Sequence, residues 1–366
     1  MPFDFLTPVA DVPVSIANML ANRVGKFHVL GVTDSGDAST ALSEFGGNDI
    51  VDMSAFGGRE KLSNPKSVRY VTTPSGRIHI IVGLGKNEEW VRGPDNNPKT
   101  VLLERVRRAV GSAYKLAREF DQQGDLTISP LGWGNVVDNG QLLEALVDAS
   151  VRSGWQGTRM FDTDRGHDSP IKNIRILVPS AGEVGVTIYS HASILASAEN
   201  HARFIAEAPS AYMTAHRVAK HIENIIAQRG DQLTLAEPIV YSEGLIRAEN
   251  NPLAGLGAVA KGSKEAAFVH VYYRGNPSSE NSIAIVAKGV IYDTGGFHLK
   301  PADGMKDMTG DKAGAGVAVG LMEALATMRV PMNVHFYFGL TENLPSREAT
   351  LPETPIYMGN DAKGKP

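Results

Sequence analysis

The sequence predicts an α/β protein that is divided into two domains. Along the first half, apolar runs of strand length alternate with segments of helical periodicity, which is the pattern of an α/β layer domain. The composition changes near residues 182–184, where alanine-rich helical segments begin. With 366 residues, the chain is long enough for two domains of roughly 150 residues each. We therefore expect a first domain at residues 1–183 and a second at residues 184–366.

In the first domain, β-rich runs that end in glycine or a turn cluster predict strands, and amphipathic segments predict helices. The segment Gly83-Leu84-Gly85-Lys86 invites comparison with a phosphate-binding loop. It lacks the four-residue spacer and the Ser/Thr after lysine that such a loop needs, so we interpret it as an ordinary strand-to-helix turn. The predicted strands are residues 27–32, 77–84, 126–129 and 174–178, and the predicted helices are residues 100–120 and 141–153.

The second domain is predicted to contain a mixture of helices and strands. The short apolar run at residues 283–287 predicts a buried strand. Residues 333–340 predict a strand covered on both faces, which ends at Thr341-Glu342-Asn343, where an α/β sheet presents side chains to a ligand. The helix at 312–328 begins with small residues, which allow close packing against a neighbouring backbone. The remaining predicted elements are helices at 190–208 and 212–229 and a strand at 267–273.

Composition and charge exclude several classes of function. A 42% hydrophobic and 21% charged chain can build a globular core. The net charge of −4 gives no electrostatic argument for nucleic acid or an anionic membrane, so neither is expected as a partner. The absence of cysteine excludes disulfides, cysteine-based zinc sites, iron–sulfur clusters and thiol catalysis.

The N-terminal residues do not have the form of a signal peptide, because an acid in place of a base lies among the first apolar residues and Pro8 and Pro13 interrupt them. No apolar run approaches the ~20 residues that span a bilayer. We therefore expect a soluble, cytoplasmic protein. The ten histidines are scattered, no H-E-x-x-H occurs, and His216 and His221 are five apart on their predicted helix, so no histidine metal pair is predicted.

The candidate site is the segment 282–316, in which two lysines and two acids follow the predicted strand. Lys288, Asp293, Lys300 and Asp311 are expected on loops between that strand and the helix at 312–328. A solvated surface loop of balanced charge and a functional site are both compatible with this pattern.

The chemistry of these residue types favours a metal site. Carboxylates such as Asp293 and Asp311 bind hard divalent cations, and a pair of cations can turn a bridging water into a nucleophile. Lys288 can serve as a neutral amine ligand if burial and metal charge depress its pKa. Lys300 can stay protonated and polarise a carbonyl. The Gly295-Gly296 pair allows a tight turn close to a ligand.

The segment AKGVIYDTGGFHLKPADGMKDMTGDKAGAG resembles the metal-binding core of the leucyl aminopeptidase (cytosol aminopeptidase) family. The family pattern is roughly V-G-K-G-[IV]-x-[FY]-D-[ST]-G-G-x-x-[IL]-K, followed eleven residues later by an aspartate that opens D-M-G-G-A-A. Lys300 and Asp311 have that interval here. Further similar segments, in the family order, are VGLGK at 82–86, ARFIAEAPSAYMTAHRVAKHI at 202–222 and TENLPSREATLP at 341–352.

The resemblance implies a two-metal exopeptidase that removes N-terminal, often leucine, residues from peptides. It implies a macrodomain-like N-terminal α/β domain, a C-terminal metallopeptidase domain with a central mixed sheet, and a homohexamer. Lys288, Asp293 and Asp311 would bind two divalent ions, zinc or manganese, with Asp293 touching both. Lys300 would be the catalytic lysine that polarises the scissile carbonyl.

The sequence departs from the family at its most diagnostic motif, N-T-D-A-E-G-R, which is not present intact. The nearest match is at residues 360–365, where Lys363 and Lys365 replace the glutamate and the arginine. A lysine in place of a ligating carboxylate would repel cations. We prefer to interpret this tail as a turn that precedes the motif, so that the catalytic domain is truncated. On either interpretation the second metal site is incomplete, and strands of the second domain expose an edge.

Three functions follow as hypotheses. The first is a metal-dependent aminopeptidase of the leucyl aminopeptidase type. The second is a catalytically inactive or truncated family member that acts as a structural or binding subunit, because the Asp/Glu/Arg set of the last motif is missing. The third is a nucleotide-binding protein, prompted by GAGVAVG at residues 314–320, but the spacing is not G-x-G-x-x-G and no strand precedes it.

Overall fold

The computed structural model describes two compact units. The described residues are 14–18, 26–33, 64–65, 67–73, 76–85, 98–120, 123–129, 139–155, 171–178, 183–242, 252–352 and 354. Within them, the first unit runs to Ala196 and the second begins at Ser197. This division falls inside a long helix, and the predicted limits 1–183 and 184–366 stay a prediction. None of the described helices is both long and apolar enough to cross a membrane.

Six described strands form the sheet of the first unit. Their order is β1-β6-β5-β2-β4-β3, and every pairing is parallel except the antiparallel β3–β4 pair. The strands are β1 (Val14–Asn18), β2 (Phe27–Thr33), β3 (Val68–Thr72), β4 (Ile78–Gly85), β5 (Gly124–Ile128) and β6 (Ile171–Val178). Two helices accompany them, α1 (Pro98–Ala117) and α2 (Asn139–Ser153).

Burial explains why these segments are strands. All eight residues of β4 are buried, as expected of an inner strand whose sequence is apolar except for His79. The strands predicted at 27–32, 77–84, 126–129 and 174–178 and both predicted helices are confirmed within a few residues. β1 and β3 were not predicted. Both lie at the edges of the described sheet, and the side chains of β3 are all exposed or half-buried, so its sequence lacks the apolar run of an inner strand.

Two histidines lie in the interior of this sheet. His28 and His79 are fully buried on adjacent parallel strands, and their Nδ1 atoms are 3.1 Å apart. Burial first, and then the charges of His79 and Arg77, lower the pKa of His28 to about 3. The first unit therefore holds at least one neutral imidazole in its core at neutral pH.

The second unit is built on a mixed sheet, as predicted. Its order is β10-β11-β9-β7, with β8 also pairing with β9; β10 and β11 are parallel and the other pairs are antiparallel. The strands are β7 (Leu233–Leu235), β8 (Val240–Tyr241), β9 (Ala266–Arg274), β10 (Ile283–Asp293) and β11 (Asn333–Asn343).

Helices of the second unit cover one face of this sheet. α3 (Glu183–Glu207) contains the division between the units, and α4 (Ala215–Gln228) begins after Thr214, whose Oγ1 accepts a hydrogen bond from the Arg217 backbone N–H. The apolar faces of α4 and of α7 (Ala313–Met328) pack on the buried side chains of β9 and β11. Shorter elements are α5 (Ala254–Ala260), α6 (Ala302–Met305) and a 3₁₀ turn (Met308–Lys312).

Strand β10 corrects two expectations. It was predicted to end at residue 287 and to be buried, but it continues to Asp293 and is the edge strand of the sheet, with Ile283 52% and Val286 81% exposed. β10 is longer than predicted because its pairing with β11 continues through Lys288 and Gly289, residue types that a propensity argument assigns to a loop. Among the described residues, β10 therefore has a strand neighbour on one side only.

Residues 314–320, weighed as a nucleotide-binding loop, lie inside α7. An added Cβ at Gly314 would lie 2.8 Å from the carbonyl oxygen of Lys288. Gly314 therefore serves close packing against β10, and Gly316 and Gly320 serve close packing against the backbone of residues 198–202. This is the close approach to a neighbouring backbone that the sequence predicts, and the segment is a helix and not a phosphate-binding loop.

Candidate active site

The candidate site lies where two parallel strands end. β10 and β11 pair in register from Ile283↔Val334 to Val290↔Thr341, and after an irregularity Asp293 pairs with Asn343. Because the carboxyl ends of neighbouring parallel strands meet at one edge of a sheet, these two polar side chains lie side by side. Lys288 and Asp293 are therefore held on a strand and not on a loop, which corrects the sequence-based expectation.

The Asp293 carboxylate is held by three donors. Asn343 Nδ2 lies 2.8 Å and the Gly295 backbone N–H 2.9 Å from Oδ1, and Lys300 Nζ lies 2.5 Å from Oδ2. Burial raises the pKa of Asp293, but the hydrogen bonds from Lys300, Gly295 and Asn343 outweigh it, and the net pKa lies below its usual value. Asp293 is thus a fixed anion at neutral pH.

The turn after β10 explains how Lys300 reaches this carboxylate. Gly295 and Gly296 have φ values of +86° and +63°, in the left-handed region that favours glycine. A Cβ at Gly295 would lie 2.3 Å from the carbonyl oxygen of His298, so a side chain there would displace the returning chain. The Lys300 backbone N–H then donates to Thr294 O at 2.9 Å, which closes the turn.

Lys300 connects this turn to the next element. Its Nζ is 3.1 Å from the sulfur of Met308, at the start of the 3₁₀ turn that carries Asp311. Its side chain is 29% exposed, so the ammonium group is reached by solvent while it is paired with Asp293. A lysine whose ammonium group is oriented by a carboxylate, as Lys300 is by Asp293, can donate a hydrogen bond to the carbonyl oxygen of a bound substrate.

Asp311 pairs with Lys288 through only one of its oxygens. Lys288 Nζ lies 3.0 Å from Asp311 Oδ1, whereas Asp311 Oδ2 is buried and has no hydrogen-bond partner among the described residues. A buried carboxylate oxygen without a partner costs free energy, and such a group calls for a cation or a water molecule. Lys288 itself is 62% exposed, so the burial that was expected for it is not seen.

A second lysine, Lys312, follows Asp311 and is fully buried. Its Nζ donates to the carbonyl oxygen of Thr309 and lies 3.1 Å from Thr309 Oγ1. Thr309 Oγ1 is in turn 2.8 Å from Ser210 Oγ, which donates to the carbonyl oxygen of Ile291 at 2.6 Å. Lys312 therefore stabilises the 3₁₀ turn, and Thr309 and Ser210 connect this turn to β10.

The described residues could supply part of the ligand set of a divalent cation. Asp293 and Asp311 supply carboxylates, and the bare Oδ2 of Asp311 is the kind of acceptor that a divalent cation uses. Within the part of the chain that the structure describes, however, no group of three or more His, Asp or Glu side chains gathers as a metal site. The described residues therefore hold part of a ligand set.

Sequence reasoning located the end of β11 but missed what its side chains do. Asn343 orients Asp293, and the neighbouring Glu342 is 3% exposed and accepts a hydrogen bond from the Lys264 backbone N–H at 2.7 Å. Burial raises the pKa of Glu342, and the backbone hydrogen bonds oppose this. The strand register, which places Asn343 opposite Asp293, is the signal that was needed, and it is not readable from the sequence.

Known proteins resemble this chain in sequence and in fold. The profile described as "Cytosol aminopeptidase family, catalytic domain" matches residues 200–362. Similar relatives are the cytosol aminopeptidase of Dictyostelium discoideum, 30% identical over 80% of this chain and 54% of that protein, and the cytosol aminopeptidase of Xenopus tropicalis, 26% identical over 90% of this chain and 61% of that protein. The chain thus spans about half to three fifths of the length of these relatives.

Solved structures show the same fold. The bottromycin maturation enzyme BotP, in complex with Mn, has a TM-score of 0.65 and 22% identity, covering 89% of this chain and 61% of that chain. A mutant of tomato leucine aminopeptidase has a TM-score of 0.65 and 17% identity, covering 95% of this chain and 66% of that chain. The α/β architecture with mixed sheets that was predicted is the architecture of these proteins.

Proposed function

Because this chain belongs to the cytosol aminopeptidase family, we propose that its second unit carries a metal-dependent aminopeptidase centre that removes N-terminal residues from peptides. The single observation that carries the proposal is the pairing of two carboxylates with two lysines at the end of β10, with one buried oxygen of Asp311 left without a partner. Residues that serve only as a solvated surface would not leave a buried carboxylate oxygen bare.

The proposed metal ligands are Lys288, Asp293 and Asp311, and the ions are zinc or manganese. When bound, a pair of such ions would polarise a carbonyl and supply a hydroxide nucleophile at neutral pH. Asp293 is suited to this role because its depressed pKa keeps it ionised, and Asn343 and Gly295 fix the direction of its oxygens. The proposal is two ions per chain, with Asp293 contacting both.

Lys300 is the proposed catalytic residue. Its Nζ donates to Asp293 Oδ2 across a turn closed by two glycines, which holds the ammonium group at the strand end. In the proposed role it donates to the carbonyl oxygen of the scissile peptide and stabilises the negative charge that develops there. Asn343 and Met308 act as positioning residues, since they contact Asp293 and Lys300.

The substrate, assembly and location extend this proposal. We infer a peptide with a free, leucine-like N-terminus as substrate, a homohexamer as the assembly, and the cytoplasm as the location. The names of the relatives, cytosol aminopeptidases and a leucine aminopeptidase, support these inferences.

Hydrolysis of leucine p-nitroanilide in the presence of manganese or zinc tests the proposal. We expect turnover by the full chain and a loss of roughly 10²–10³-fold in Lys300→Ala, the usual effect of removing one donor to a developing oxyanion. Lys220→Ala, an exposed lysine paired with Glu223 on α4, is the matched control and retains full turnover. Equal rates in wild type and Lys300→Ala would refute the catalytic role.

The second candidate function is a non-catalytic structural or binding subunit. It is favoured by the incomplete ligand set of the described residues and by Lys312, a buried cation directly after Asp311. Titration calorimetry separates the candidates. Two tightly bound manganese ions per chain, with binding lost in Asp311→Asn, argue for the enzyme, whereas the absence of such binding together with no turnover argues for the subunit.

A further inference from the structure

Three helices of the second unit bring together His201, His221 and Glu323, which are not part of the candidate active site. His201 Nδ1 on α3 lies 2.6 Å from Glu323 Oε2 on α7, and His201 Nε2 faces His221 Nε2 on α4 within hydrogen-bond distance. The two imidazole rings are nearly perpendicular, with an interplanar angle of 84° and centroids 4.6 Å apart. We call this group the helix histidine cluster.

The hydrogen bonds of the helix histidine cluster define which nitrogen atoms are available. The Glu323 carboxylate accepts from the Nδ1–H of His201, and this bond, ahead of the opposing effect of burial, lowers the pKa of Glu323. An imidazole whose Nδ1–H is donated in this way presents Nε2 as a lone pair, which here accepts the Nε2–H of His221. An ion that binds both rings takes the place of this proton, which neutral His221 then carries on Nδ1. Burial, followed by the charge of His201, lowers the pKa of His221 to about 4, so His221 is neutral at pH 7.

The helix histidine cluster lies beside an apolar ring and is partly exposed. The ring of Phe204, 3% exposed, lies 6.5 Å from the ring of His201 and 6.4 Å from that of His221. The side chains of His201 and Glu323 are 15% and 30% exposed, so the cluster is not closed off from solvent. At a histidine metal site, a hydrophobic shell of this kind controls solvent access.

We propose that His201 and His221 form a binding site for a late first-row transition ion, namely zinc, nickel or copper, with Glu323 orienting His201. Imidazole nitrogen selects these ions over manganese, magnesium or calcium, which prefer oxygen ligands. A carboxylate on the second ring nitrogen of a ligating histidine is the usual supporting contact in such sites. Since no third His, Asp or Glu of the described residues completes a cage, solvent fills the remaining positions and the ion is exchangeable.

Zinc titration by calorimetry tests this site with the full chain. We expect His221→Gln to bind one zinc ion per chain fewer than wild type. His216→Gln is the matched control, because His216 lies on the same helix and contacts Glu265 and the carbonyl oxygen of Ala266 instead, and it retains the wild-type stoichiometry. Glu323→Gln keeps the stoichiometry and weakens the site by about 10–100-fold, the usual effect of losing the supporting carboxylate.

Two further measurements keep the result interpretable. Circular dichroism of metal-free His221→Gln is expected to show a folded protein, and His201→Gln provides an independent removal of the same site. Manganese titrations are expected to be the same in wild type and both variants, which separates this site from the proposed aminopeptidase centre. Equal zinc stoichiometry in wild type, His201→Gln and His221→Gln, or an equal loss in His216→Gln, would overturn the proposal.

Discussion

The sheets of the two units differ in the burial of the strands compared here, β4 in the first unit and β10 in the second. In the first unit, β4 is buried at all eight positions and the sheet interior takes in two histidines, one of them held neutral by burial. In the second unit, β10 is an edge strand whose first apolar side chains, Ile283 and Val286, are exposed. Two of its residues, Lys288 and Asp293, form ion pairs with Asp311 and Lys300. An inner strand contributes stability, whereas an edge strand can present charge to a ligand.

The largest expected effect comes from a pair of isoleucines, one in each sheet. Ile80 on β4 is 0% exposed, and Ile283 on β10 is 52% exposed. Ile80→Ala is expected to lower the free energy of unfolding by about 2–5 kcal/mol, because it leaves a cavity. Ile283→Ala is expected to change it by less than about 0.5 kcal/mol. Urea unfolding of both variants measures this, and equal losses would contradict the contrast between the sheets.

The next effect concerns pH and the first unit. Because the folded-state pKa of His28, about 3, lies below its ordinary value of 6.5, its contribution is fully present above pH 6.5 and is lost as the pH falls toward 3. At pH 5 the resulting loss in the free energy of unfolding is about 2 kcal/mol, at 1.36 kcal/mol per pKa unit. Hydrogen exchange of β2 and β4 amides at pH 7 and pH 5 measures it.

The control for this pH effect is His28→Leu, which replaces the titrating imidazole with an apolar side chain of similar size. We expect its β2 and β4 amides to show a weaker dependence on pH than those of the wild type. An unchanged dependence would mean that His28 is not the group responsible.

The close approach of α7 to β10 gives the third effect. Gly314→Ala places a Cβ 2.8 Å from the carbonyl oxygen of Lys288 and is expected to cost about 1–3 kcal/mol through overpacking. Gly310→Ala is the matched control, since a Cβ there meets no atom within 4 Å. Thermal unfolding of both variants measures the difference, and a Gly314→Ala variant as stable as Gly310→Ala would show that the helix can move away from β10.

The smallest effect is local to the candidate site. Asn343→Ala removes the hydrogen bond to Asp293 Oδ1 and is expected to cost about 0.5–1.5 kcal/mol. Because that bond favours the ionised form, the pKa of Asp293 is expected to rise in the variant. The pH dependence of the Asp293 carboxyl ¹³C resonance reports this directly. A pKa that stays the same or falls would mean that Asn343 does not support the anion.

Much of the fold is readable from the sequence because burial imposes a pattern on it. The apolar runs that became β2, β4, β9 and β11 and the amphipathic segments that became α1, α2 and α4 were all located. The burial of β10 was predicted wrongly, because an apolar run indicates that a segment forms a strand but does not indicate whether that strand lies inside the sheet or at its edge. β7, with three residues, is too short to leave a pattern.

The candidate site was predictable only as far as local spacing carries information. The motif placed Asp293 and Lys300 on one segment, and their contact lies within seven residues. Asn343 is 50 residues from Asp293, and His201 is 20 residues from His221, so both contacts depend on how elements pack. Spacing along one helix excluded a His216–His221 pair, but it says nothing about a histidine on another helix.

The double-glycine turn after β10 bears on the order in which the site assembles. The Asp293–Lys300 pair closes a loop of seven residues, whereas the contact of Asp293 with Asn343 closes one of 50 residues and needs β11 in place. Loop-closure entropy grows with loop length, so the Asp293–Lys300 contact costs less chain entropy to form and is expected to be the earlier of the two.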